Sequence, residues 1–105
     1  MTDLKSLAER HLSQAKDDKN GRSAHMFLHE GPLRQTVIAL TAGSRLDEHN
    51  SPHAASLQVL SGRVVLTSAL GDTELGEGEL APIPPERHGL NALADSVLVL
   101  TTVKG

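Results

Sequence analysis

An all-β fold, a sandwich or barrel preceded by one amphipathic helix, is what this 105-residue chain predicts. Three observations lead there. From residue 22 onward, short apolar runs with a two-residue period recur between turn residues. Before that point the period is helical, over residues 3–15. Two of the later runs, Thr36-Val37-Ile38-Ala39-Leu40 and Val97-Leu98-Val99-Leu100, are apolar on both alternating faces, so something must cover each side of the sheet that holds them. The length suits one domain with a single core. Residues 1–21 read as the helix and its linking turn, and 22–105 as the barrel.

In the helix, Leu4, Leu7, Ala8, Leu12 and Ala15 fall on one stripe, while Lys5, Glu9, Arg10 and Gln14 lie outside it. Thr2 or Asp3 can cap the first turn, where a carboxylate suits the positive end of the helix dipole. His11 borders the stripe and reads as a boundary residue. The run Lys16-Asp17-Asp18-Lys19-Asn20-Gly21 ends the helix, with Asn and Gly available for a left-handed turn. A helix this short needs a surface to pack on, and its apolar stripe is expected to cover the outside of the barrel.

Strands are expected near 24–29, 34–40, 44–48, 56–61, 63–69, 72–75, 79–83, 88–91 and 96–103. The punctuation is Gly31-Pro32, Ala42-Gly43, Asn50-Ser51-Pro52, Ser61-Gly62, Gly71-Asp72 and Pro84-Pro85. In the first strand, alternation puts His25, Phe27 and His29 on one face, read as a polar face ahead of a surface metal site or an interface. The two-faced strands also call for cover beyond the barrel interior. A homodimer that buries one outer face is expected, with the helix as the other possible cover.

Composition excludes several functions. The one aromatic residue is Phe27, so a sugar or nucleobase site built on stacking is not expected. Net charge is −3 with no basic stripe, which argues against nucleic-acid binding. No apolar run approaches the roughly 18 residues of a membrane span, and the first residues lack a secretory pattern. With no cysteine there is no disulfide, thiolate site or Cys nucleophile. A cytoplasmic location is expected. No Gly-x-Ser-x-Gly elbow, phosphate-binding glycine loop or His-Glu-x-x-His is present. Ser51 or Ser56 near His49 lacks a third group to orient a nucleophile–base pair.

Two histidine-bearing segments carry the functional signal. The first is Gly43-Ser44-Arg45-Leu46-Asp47-Glu48-His49, followed by Asn50-Ser51-Pro52-His53 and the strand that ends at Ser61-Gly62. The second is Gly78-Glu79-Leu80-Ala81-Pro82-Ile83-Pro84-Pro85-Glu86-Arg87-His88. Over roughly residues 34–103 these resemble the paired motifs of the cupin superfamily. The resemblance implies a cupin-type jelly-roll β-barrel, with ligands on its inner face. In that family the first motif gives two histidines one residue apart and a glutamate seven residues before a glycine, and the second motif gives a third histidine. Here His49 matches the first histidine and His88 the third. Ser51 stands in the second position, and Ala55 stands where the carboxylate is expected.

The pocket-lining residues are therefore expected to be His49, Ser51, Ala55, Leu57, Val59 and His88, with Arg87 on the rim as a candidate anion contact. His53, four residues after His49, is the candidate that completes a three-imidazole metal site of His49, His53 and His88. Such a site suits a divalent transition metal: zinc, nickel, copper, iron or manganese. Strict alternation sends Glu48 away from a pocket that His49 enters, and lets Asp47 share the inner face or sit on the rim. Two functions follow. One is a stand-alone cupin that binds a small molecule in its barrel, with weak or absent metal binding. The other is a metal-dependent enzyme, of oxygenase or isomerase type, that uses the three histidines.

Overall fold

The computed structural model describes residues 1–49, 54–83 and 87–103. Helix α1 runs from Leu4 to Asp17. Asp3 caps it, its carboxylate accepting from the N–H groups of Lys5 (3.0 Å) and Ser6 (3.4 Å) and from the Ser6 hydroxyl (3.0 Å). Those donors, the Ser6 hydroxyl foremost, hold the Asp3 carboxyl below its ordinary value. At the far end the Asp18 N–H donates to the Ala15 carbonyl, and the Asp18 carboxylate accepts from the N–H groups of Asn20 and Arg22. Gly21 makes the turn into the barrel at φ +69°, a conformation open to glycine. A Cβ there would lie 2.2 Å from Ser44 Oγ and 2.3 Å from Thr41 Oγ1.

Nine strands follow among the described residues: β1 (Arg22–Glu30), β2 (Leu33–Leu40), β3 (Arg45–His49), β4 (Ala54–Ser61), β5 (Arg63–Ser68), β6 (Thr73–Gly76), β7 (Leu80–Pro82), β8 (His88–Ala92) and β9 (Ser96–Val103). Each expected run forms a strand, and no boundary moves by more than two residues. All pairings are antiparallel. They build a five-stranded sheet in the order β1-β2-β9-β4-β7 and a four-stranded sheet in the order β3-β8-β5-β6. From β2 onward the chain passes back and forth between the sheets, the exception being the β5–β6 hairpin. This is the jelly-roll arrangement.

The two sheets enclose an aliphatic core. Ile38, Leu40, Leu57, Val59 and Leu98 enter from the larger sheet, and Val64, Leu66, Leu75, Leu90 and Ala92 from the smaller. The opposite face of the larger sheet carries Val37, Ala39 and Val97, which pack with Ala15, Leu12 and Ala8 of α1. The helix is thus the cover that the two-faced strands required. Away from it, the same outer face turns polar, with Gln35 Nε2 donating to Thr101 Oγ1 at 3.0 Å.

Two irregularities change the reading of histidines. In β1 the register with β2 shifts between Met26 and Leu28. His25 then faces Val37 and His29 faces Arg34, partners an odd number of residues apart, so the two histidines lie on opposite faces of the sheet. The expectation of one shared face is corrected. His11, read as a boundary residue, is buried at 6% exposure between the helix and β1.

Candidate functional site at the barrel mouth

The site starts from a bulge. In β3, Arg45 pairs with Asn91 and Leu46 with Leu90, so an unbroken ladder would set residue 48 opposite His88. The register shifts after Leu46, and His49 takes that place instead. One extra residue in the strand therefore brings the two motif histidines together as register partners, a usual role for a β-bulge. Strict alternation could not have shown this. Asp47 within the shift is exposed, 4.0 Å from Arg45 Nε.

His88, at the start of β8, is 5% exposed. It forms the polar wall of a cavity of about 40 Å³ whose other walls are Ile38, Leu46, Leu57, Leu66, Ile83 and Leu100. A cavity of that size has room for a water or two, since each needs roughly 10–15 Å³. It is far below the roughly 300–1,000 Å³ of a pocket that encloses an organic ligand. Taken alone, this cavity is too small to enclose an organic ligand.

Ala55 lies in β4, where alternation from Leu57 and Val59 places it on the inner face. Its backbone pairs with Thr102, and its carbonyl accepts from the Ile83 N–H at 2.9 Å. Leu57 and Val59 are buried core residues, as expected of an inner face. Arg87 is exposed beside His88. Ser51 and His53 lie outside the described residues. Among the described residues no group of three or more histidine, aspartate and glutamate side chains is placed to hold a metal.

One residue had gone unnoticed. Ser68 of β5 is the register partner of His88 on the side away from β3, so His49, His88 and Ser68 form a row across the smaller sheet. Ser68 Oγ donates to the Gly71 carbonyl (3.0 Å) and accepts from the Leu70 N–H (3.3 Å). The inward period of β5 (Val64, Leu66 and then Ser68) was the available signal.

Among the described residues, a metal of the kind bound in cupin barrels meets a thin donor set. Catalytic zinc sites use three protein ligands and structural ones use four. Positions 49 and 88 give two imidazoles, and position 55 gives a methyl group.

No protein-family model and no curated protein matches the chain. Solved structures do. A conserved protein of unknown function from Streptococcus pyogenes aligns with TM-score 0.74 at 25% identity, over 84% of this chain and 78% of that one. A cupin superfamily protein from Desulfitobacterium hafniense aligns with TM-score 0.75 at 12% identity, over 84% and 82%. A salicylate 1,2-dioxygenase from Pseudaminobacter salicylatoxidans aligns with TM-score 0.79 at 16% identity over 93% of this chain, which spans 33% of that protein.

Proposed function

We propose, for a chain that folds as a small single-domain cupin, a binding role: capture of a small molecule at the barrel mouth, with weak or absent metal binding. The observation that carries this reading is the content of the inner face. One wall is the sheet on which positions 49, 88 and 68 are register partners, with His88 and Ser68 supplying its polar atoms. The other presents Ala55 where a metal-binding barrel would offer a carboxylate, above Leu57. A few convergent polar groups over an aliphatic floor suit a ligand with one polar head and a small apolar body. His88 would take the head, Ser68 Oγ can accept from a head that donates, and Arg87 would attract the head if it is an anion. The narrow cavity beside His88 favours a small ligand.

Mass spectrometry of the protein purified under native conditions, together with elemental analysis, tests this. A stoichiometric organic ligand on a metal-poor protein supports it, and His88→Ala should then lose that ligand. Near-stoichiometric transition metal that survives dialysis would overturn it in favour of a metal-dependent enzyme using His49, His53 and His88.

Self-association belongs to the same proposal. With Val37, Ala39 and Val97 covered by α1, apolar outer surface on the larger sheet remains on β4 and β7. There a groove runs past Leu60, Leu4 and Ala8, and Leu80 is 59% exposed. A second copy seated on this surface gives a homodimer.

A further inference from the structure

Outside the barrel, the seam between α1 and β1 holds two imidazoles in contact. The rings of His11 and His25 are stacked, with centroids 5.7 Å apart and planes 11° from parallel. His11 Nδ1 lies 2.8 Å from Ser23 Oγ, and the Ser23 hydroxyl donates to Gln14 Oε1 at 3.1 Å. Ser23 has one proton and spends it on Gln14. His11 Nδ1 is therefore the donor to Ser23, and the neutral ring carries its proton there. This polar chain ties helix to strand at the middle of α1, flanked by the buried Leu7 and Ala15.

The surroundings favour the neutral ring. Burial comes first, and the Arg10 guanidinium and His25 add to it; together they hold the His11 imidazole below its ordinary value. From β2 and β9 the helix meets Val37, Ala39 and Val97, so no carboxylate enters the seam from those strands. The N-cap carboxylate of Asp3 lines a hollow together with Arg10, His25 and Phe27, and at the far end of the helix Asp95 lies 3.9 Å from Lys16. A proton added to His11 sets a cation in this seam, stacked on a second imidazole and beside an arginine.

We propose that α1 is a pH-dependent latch, closed by the neutral His11 ring stacked on His25 and released from the outer face of the larger sheet when His11 takes up a proton, while the barrel stays folded. Release would uncover Val37, Ala39 and Val97, the apolar patch that α1 hides. Partial opening of this kind suits a short peripheral helix with few fully buried residues, because local units open at less cost than the whole domain.

Amide hydrogen exchange of the full chain at pH 7.5 and pH 5.5, corrected for intrinsic rates, tests it. The α1 amides should lose protection severalfold, up to the roughly tenfold that one histidine can supply over this range, while the β4 and β9 amides keep theirs. His11→Gln, which can still donate to Ser23, should make α1 protection independent of pH across this range. Equal protection of α1 at both values would overturn the latch, as would parallel loss in α1 and the barrel strands, or a pH dependence that survives in His11→Gln. Should that variant leave α1 unprotected at pH 7.5, the ring protons of wild-type His11 and the α1 amide shifts decide by NMR. A common midpoint supports the latch, and separate midpoints overturn it.

Discussion

Ser96 shows how one small side chain can hold two strands in place. It is fully buried at the start of β9, and its hydroxyl accepts from the Arg63 N–H (3.0 Å) while facing the carbonyls of Ala94 (2.7 Å) and Arg63 (3.2 Å). Gly62, in the β4–β5 turn at φ +90°, leaves room for that hydroxyl. A Cβ there would come within 2.3 Å of Ser96 Oγ and 2.4 Å of the Asp95 carbonyl. Gly62→Ala therefore combines a strained backbone with an overlap, and should cost about 2–4 kcal/mol. Ser96→Ala leaves the Arg63 N–H buried without its acceptor and should cost about 1–3 kcal/mol. Denaturant titrations check both, and a change below 0.5 kcal/mol in either would remove the role given to this contact. Ala55→Glu probes the barrel mouth at the same scale. It should raise zinc affinity at least tenfold, since a carboxylate joins His49 and His88, while lowering stability in the metal-free state. Calorimetric titration with zinc reads the first effect and melting curves the second. Unchanged affinity would mean that position 55 does not share a site with the histidines.

At the scale of elements, the strands were legible and the breaks in their rhythm were not. Nine apolar runs between Gly, Pro, Asn and Asp gave nine strands because alternation and turn chemistry are local properties. A bulge is set by what the neighbouring strand demands, so no residue in the chain announces it. The shift at Met26–Leu28 separated His25 from His29, and the shift after Leu46 set His49, not residue 48, opposite His88. The candidate site was thus half legible: the histidines could be named from their motifs, whereas their pairing, and the arrival of Ser68 beside them, depend on register. The docking of α1 carries a further expectation. A histidine whose folded value lies below its ordinary one binds fewer protons folded than unfolded, so stability rises with pH. That contribution is full above the ordinary histidine value of about 6.5 and declines as pH falls from there toward the folded value. Urea unfolding across pH 5 to 8 should show a decline on the acid side that is smaller in His11→Gln. Parallel pH profiles for the two proteins would rule it out.

Seen whole, the molecule is a two-sheet barrel with one outer face covered by α1. Its radius of gyration of 12.9 Å fits a packed chain of this length. No described helix is long and apolar enough to cross a membrane. The proposed homodimer is a statement at this scale: light scattering at micromolar concentration should give twice the chain mass of 11.1 kDa. Leu80→Glu, on the exposed edge strand β7, should return it to one chain mass. A wild-type protein that keeps the single mass as concentration rises would show that α1 alone is cover enough. The order of strands has a consequence in time. β9 lies between β2 and β4, and no other strand joins those two. As the chain leaves the ribosome, β2 and β4 emerge well before the segment that will bridge them, and each waits with apolar side chains and an unpaired edge. The larger sheet closes only once β9 has emerged. Until then the nascent chain is open to pairing with its neighbours, a hazard that belongs to its birth and disappears once the sheet is complete.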